Sequence, residues 1–413
     1  MKWKHTNIKT LGALAALALA GASAQAADLT WSGGAGTWQE GASGNFGSTW
    51  NNANSDSADF TGSAGTVTVS GTVEVTNLHF TTNSGYIIDG GTLNFAAGGV
   101  ISNSNNSANN DITSTITGSP LVNLADGPNQ GYLGLKFAPT AGRTQTLGLI
   151  TNPLNGVSTR DKSGVVLGGT TTGNTVSSIT YTGGDRYGTV WKEGSSSWTV
   201  AGDINTGTIR VSEGSLTING IANAFYQGHA YTGGTVTGTG TLRNNDRRTE
   251  MKVASGAMLA PGNSIGTMTV DWGGSGGNPT GDRANRSLQM LDGSIYEWEL
   301  GAGNTTDTID VDGTLSALYV DDMVLKITDA GGTPEASDQL AVFTYDVGAT
   351  VDISGFTGTF DTTGATNYDA SGASLVDGGA GIVYLTGLTA IPEPSTTALL
   401  GLGGLALILR RRK

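Results

Sequence analysis

Gly65-Thr66-Val67-Thr68-Val69 is followed, one residue later, by Gly71-Thr72-Val73-Glu74-Val75. The unit is a glycine, a small hydroxyl residue, and then apolar and polar positions in alternation. It returns as Gly91-Thr92-Leu93-Asn94-Phe95, Gly207-Thr208-Ile209-Arg210-Val211 and Gly214-Ser215-Leu216-Thr217-Ile218. Gly266-Thr267-Met268-Thr269-Val270 and Gly313-Thr314-Leu315-Ser316-Ala317 repeat it again. Glycine supplies a turn at positive φ without a steric cost. The alternation then sends the apolar side chains to one face and Thr, Asn, Glu or Arg to the other. Strands this short bury no face alone, but stacked as coils they share a continuous core. The reading is an all-β body, a right-handed parallel β-helix with an imprecise repeat of roughly 20 residues and three short strands per coil. A β-sandwich of short strands is the alternative with the same alternation.

Working toward the N-terminus, residues 28–60 carry Trp31, Trp38, Trp50 and Phe60 among Gly and Asn. Open ends of repeat arrays expose core and unpaired strands, so these aromatics read as a cap; an aromatic sugar-binding platform is the other reading. Thr30-Trp31-Ser32-Gly33-Gly34 through Asp59-Phe60 resembles the entry module of autotransporter-associated β-strand repeat proteins. Further on, Val253-Ala254-Ser255-Gly256-Ala257-Met258-Leu259-Ala260-Pro261-Gly262-Asn263-Ser264-Ile265-Gly266-Thr267-Met268 is similar to a stretch of autotransporter passenger repeats. That resemblance implies a β-helix outside the cell. No run of ten-residue membrane strands follows it, so only the passenger-like body is shared.

Residues 27–272 therefore form the expected solenoid. A Gly-rich stretch, 273–281, separates them from a β-rich region at 282–388, read either as closing coils or as a small β-domain. Residues 102–111 and 244–252 read as polar loops, and the stretch around Pro120, Pro128 and Pro139 as irregular.

The two ends of the chain set its destination. Lys2, Lys4 and Lys9 precede an apolar run over residues 11–20, and Ala24-Gln25-Ala26 follows. That is a signal peptide over residues 1–26, cut between Ala26 and Ala27. At the other end, Ile391-Pro392-Glu393-Pro394-Ser395 leads into an apolar run over residues 396–409 and then Arg410-Arg411-Arg412-Lys413. The basic cluster is a stop-transfer signal held on the cytoplasmic side. As a short hydrophobic helix the run would extend about 21 Å, against a hydrocarbon core of about 30 Å. It suits a transient anchor in the inner membrane. Residues 391–413 resemble the PEP-CTERM sorting signal. The resemblance implies recognition of Pro392, Glu393 and Pro394 by an exosortase-type membrane protease and delivery to the surface or extracellular matrix.

Composition excludes several classes. The chain has 413 residues and a net charge of −13. Without the basic ends, the body holds 14 basic and 33 acidic residues, about −19. Such a charge opposes nucleic-acid binding. Cysteine is absent, which removes disulfides and thiol catalysis. Glycine, at 66 residues, is about twice its usual share.

The candidates for chemistry are few. Glu297 and Glu299 alternate with Tyr296, Trp298 and Leu300, so the two carboxylates share the outer face about 7 Å apart, a spacing an inverting glycosidase could use. Asp307, Asp310 and Asp312 offer oxygen ligands for Ca²⁺ but match no calcium-loop spacing. His79 and His229 are the histidines left after signal removal, and no Gly-x-Ser-x-Gly elbow accompanies them. The expectation is an exported, non-enzymatic structural or adhesion protein with no catalytic residue, metal or cofactor. Its expected partners are the sorting protease and an exopolysaccharide. A polysaccharide-degrading β-helix and a cation-binding surface layer are the alternatives.

Overall fold

The structure is a computed structural model that describes residues 26–81, 85–104, 110–124, 134–140, 142–153, 164–182, 188–244, 250–272, 288–313 and 316–391, with residues 406 and 410. The described chain is built almost wholly of strands, and its pairings resolve into three parallel ladders.

Each turn of the chain contributes one strand to each ladder. The strand Thr66–Phe80 passes through all three: Thr68 lies beside Asp89, Thr72 beside Thr92 and Leu78 beside Ile101 in Ile87–Asn103. On the first ladder the inward row reads Val67, Ile88, Ile112, Phe137, Leu167, Lys192, Val211, Tyr231, Val253, Met290 and Val320. On the third it reads Ala58, Leu78, Ile101, Val122, Ile150, Ile179, Ile204, Ala222, Leu242, Val270 and Val311. Nearly every member is fully buried. Stacked rungs of this kind describe a β-helix, and the parallel pairing leaves no place for the antiparallel sandwich.

The recurring glycine unit forms one side of a coil. Gly65-Thr66-Val67-Thr68-Val69 enters the first ladder, Gly71-Thr72-Val73-Glu74-Val75 the second and Gly266-Thr267-Met268-Thr269-Val270 the third. This explains the imprecise period. A coil near 20 residues occurs in the middle, where Ser197 faces Ser215 and Ser215 faces Thr235, 18 and 20 residues on. Elsewhere the corners are longer: Lys252 faces Gln289, 37 residues on. Beyond that point the strands Leu288–Met290, Ile295–Gly301 and Thr308–Asp312 extend the same three ladders.

Polar residues enter the core where they replace missing backbone partners. On the second ladder Ile116 is bridged to Gln145. Gln145 Nε2 donates to the carbonyls of Ile112 and Ser114, and its backbone N–H donates to Asn174 Oδ1. Asn174 Nδ2 in turn donates to the carbonyls of Thr171 and Ser197. Lys192, with no exposed surface, donates from Nζ to the carbonyls of Glu193, Gly194 and Glu213 at 2.6–3.0 Å. Burial pushes its ammonium down to about 8, against the pull of Glu213 and Glu193.

Both ends of the described coil are closed. At the first, Trp31 packs edge-on to Phe46 at 5.0 Å, Trp38 edge-on to Trp50 at 4.8 Å, and Phe60 on Phe80 at 5.4 Å. The three tryptophans and Phe60 are at most 1% exposed, so they fill the first coil and offer no platform to a sugar. Short 3₁₀ turns, Gly44–Phe46 and Asn52–Asn54, lie between Gly36–Gln39 and Ser57–Phe60. At the far end Ile382–Thr386 runs antiparallel to Leu340–Tyr345, and Ser374–Asp377 antiparallel to Ile382–Thr386. Among the described residues no helix is long and apolar enough to cross a membrane.

The corners set a testable constraint. Gly118 has φ of 85°, and a Cβ there would sit 2.0 Å from the Phe95 carbonyl oxygen on the rung before. Gly256 has φ of 78° with nothing within 4 Å of that position. Gly256→Ala should cost about 1–2 kcal/mol from backbone conformation alone. Gly118→Ala should cost clearly more, because the rung spacing has to give. Urea midpoints of the two variants measure the difference.

Candidate functional site

The sequence points to the two ends, and the described body runs from Ala26 to Ile391. Ala26 and Ala27 are exposed, and Ala27 leads directly into Asp28–Trp31. The Ala27 carbonyl accepts from Ser57 N at 2.8 Å. Ala24 lies outside the described residues, as do Pro392, Glu393, Pro394, Arg411, Arg412 and Lys413; Arg410 is described and exposed. The body finishes just before the motif. Thr389–Ala390 pairs with Tyr368–Asp369, Ala390 N donates to the Pro334 carbonyl, and Ile391 N donates to the Asn367 carbonyl at 2.6 Å. Tyr368 anchors this clasp from below: its hydroxyl donates to Asp329 Oδ1 at 2.5 Å. That bond helps hold the Asp329 carboxyl below the usual carboxylate range.

The carboxylates of Ile295–Gly301 divide by environment. Tyr296, Trp298 and Leu300 are buried, as the alternation predicts, and Glu297 faces outward. Glu297 Oε1 accepts from Lys326 Nζ on the next rung at 2.6 Å, with both side chains about a quarter to a third exposed. Such a pair contributes no more than about 1 kcal/mol. Glu299 sits next to Asp307, which is 1% exposed. Asp307 Oδ2 accepts from Glu299 N at 3.1 Å and Oδ1 from Gly266 N at 2.7 Å. Burial pushes the Asp307 carboxyl up to about 7, with Glu299 and Glu297 adding repulsion and the two backbone donors opposing. A carboxyl titrating near neutrality is often a catalytic acid. This one is enclosed and spent on backbone groups, so a substrate has no path to it.

The three aspartates proposed for calcium do not converge. Asp307 is enclosed, Asp310 accepts from Thr344 Oγ1 at 2.6 Å, and Asp312 is exposed beside Asp271 on the third ladder. Arg243 Nε binds Asp271 Oδ2 at 2.6 Å. Among the described residues no group of three acidic or histidine side chains is placed to hold a metal ion. Several other acids close turns: Asp352, Asp361 and Asp369 accept from the backbone N–H groups of Ser354, Thr363 and Ser371. Much of the negative charge therefore shapes corners.

The histidines divide as well. His229 is buried, with Nδ1 against Tyr231 Oη at 2.9 Å, and burial pushes it down to about 4. His79 lies on the outer row of the third ladder between Asp59 and Ser102, and its Nδ1 contacts Ser102 Oγ.

One concave feature is absent from any reading of the sequence. Gln289, Tyr319 and Asp352 occupy one outward row on the last rungs of the first ladder. With Leu291, Asp321, Ser354 and other neighbours they line a groove of about 290 Å³. Gln289 is 4% exposed, and its Nε2 has no acceptor. These residues are 30 or more positions apart in pairs, so the groove becomes visible only once Gln289 is known to face Tyr319.

Residues 390–413 match the PEP-CTERM protein-sorting motif. No curated protein matches the chain. The motif marks an exported protein that is sorted through the cell envelope and processed by an exosortase, a membrane protease.

Two outcomes follow. The Asp307 carboxyl is raised in the folded chain, so the native state binds the proton more tightly than the unfolded state between about pH 4 and pH 7. This group therefore adds stability as pH falls from 7 toward 4, the reverse of a salt-bridged carboxylate. Asp307→Asn should flatten that part of the stability–pH curve, read from urea midpoints at pH 7.5, 6 and 5. Separately, ending the chain at Ile391 should leave the melting temperature of the body unchanged, since the clasp is complete by that residue.

Proposed function

We propose that the body is a non-enzymatic structural or adhesion protein of the cell surface or extracellular matrix. The signal segment is cut at Ala24-Gln25-Ala26 before Ala27, the basic cluster Arg410 to Lys413 halts translocation in the inner membrane, and the exosortase reads Pro392-Glu393-Pro394. The carrying observation is the sorting motif at residues 390–413 attached to a solenoid whose antiparallel closing strands end immediately before it. The autotransporter-like repeat text agrees with a passenger body that works outside the cell. The carboxylates on and beside Ile295–Gly301 favour this reading over a polysaccharide-cleaving one, because Glu297 is engaged by Lys326 and Asp307 is enclosed.

The partner proposed for the outer surface is an exopolysaccharide, and the groove at Tyr319 is the contact proposed for it. An aromatic ring offers a face for the C–H side of a pyranose, and Asp321 and Asp352 offer acceptors to hydroxyls. The two carboxylates select against uronic acids and for neutral or N-acetylated sugars.

The exported protein should be retained on the cell's own insoluble polysaccharide in a pull-down. Tyr319→Ala should reduce the retained fraction several-fold while leaving the melting temperature within error. Retention unchanged by that substitution would remove the groove from the proposal, and no retention of either form would remove the polysaccharide.

A further inference from the structure

Asp56 is a buried carboxylate, 2% exposed, at the first coil. Its oxygens accept from two backbone amides: Ala27 N at 2.9 Å on Oδ1 and Asn51 N at 3.4 Å on Oδ2. Among the described residues no lysine, arginine or histidine pairs with it. A buried carboxylate without a cation is costly and is normally matched by one. The atom it faces at the shorter distance is the nitrogen of Ala27, which is the residue that would become the first of the exported chain.

We infer that Asp56 is the acceptor for the mature N-terminal ammonium, so that removal of the signal segment completes the first coil. The inference rests on the proposed export and adds the register of the cut. Water cleaves the Ala26–Ala27 amide; Ala26 leaves with the removed segment as a carboxylate, and the Ala27 nitrogen takes up protons to become an ammonium. The hydrogen bond from an amide N–H to Asp56 then becomes an ion pair in the same place, and the buried carboxylate gains the cation it otherwise lacks. Ala22-Ser23-Ala24 offers a second small-x-small site by sequence. A cut there would leave the charge on Gln25, up to about 7 Å further along the chain from Asp56. Only the later cut places the charge against Asp56. Ala27 is also held through its carbonyl by Ser57 N at 2.8 Å, and the Asp56 carbonyl accepts from Thr76 N at 3.0 Å. The ammonium would thus join the first strand to the coils beneath it.

Intact mass of the surface-extracted protein separates the two layers of this argument. A chain beginning at Ala27 is expected. A chain retaining Met1 would overturn the export reading, and a chain cut elsewhere would overturn this inference alone. Four purified proteins then test the pairing: the chain starting at Ala27, the same chain with Gly-Ser placed before Ala27, and both again with Asp56→Asn. The extension should lower the melting temperature in the Asp56 background and have no effect in the Asp56→Asn background. An equal loss in both backgrounds, or none in either, overturns the inference. If Asp56→Asn does not fold, the labelling rate of the α-amine by an N-hydroxysuccinimide ester decides between the two Asp56 chains. Slower labelling at Ala27 than in the extended chain supports the pair, and equal rates overturn it.

Discussion

Everything in this molecule depends on parallel rungs staying in register. Each strand finds its backbone partners on the coils before and after it, so no side of a coil is stable by itself. Register also fixes orientation, because a slip of one residue would turn an inward Ile or Val outward along the whole ladder. The inward rows show how strictly this is kept: from Val67 to Val320 on the first ladder, the positions are apolar except for Lys192. Lys192 is tolerated because its ammonium reaches three carbonyls at a corner. Gln145 and Asn174 are tolerated for the same reason, each satisfying backbone groups that the stacked strands leave open.

A stack of this kind has two vulnerable ends, and the chain spends its aromatics and its antiparallel strands there. The N-terminal end is plugged by Trp31, Trp38, Trp50 and Phe60, which replace the apolar rung that would otherwise lie beneath them. The C-terminal end reverses direction, with Ile382–Thr386 covering Leu340–Tyr345. Reversal suits an end, since an antiparallel strand offers no template for the next parallel coil. The sorting segment begins just past this closure, so processing there need not disturb the core.

The coil architecture was legible because it is local: glycine, hydroxyl residue and two-residue alternation act within five positions. The reading of Tyr296, Trp298 and Leu300 as a core face holds for the same reason. The length of a coil was not legible, since corners absorb anything from Ser197–Ser215 to Lys252–Gln289 without altering the rung. Features that need cross-coil register stayed hidden. The Gln289–Tyr319–Asp352 row, the contact of His79 with Ser102, and the meeting of Ala27 with Asp56 join residues 23 to 33 positions apart. The spread of Asp307, Asp310 and Asp312 to three environments was hidden too. Spacing along the chain says which face a residue takes, and it does not say how a following loop will enclose it.

The direction of the hydrogen bonds has a mechanical meaning. In this coil they run along the long axis, from rung to rung. Tension applied through residues at opposite ends is therefore carried in series, and the rungs would peel singly from whichever end yields first. A force entering beyond Ile391 meets the Thr389–Ala390 clasp and the Ile382–Thr386 strand before any parallel rung. The closing strands thus act as a fuse, giving way ahead of the ladder and sparing the rest of the stack.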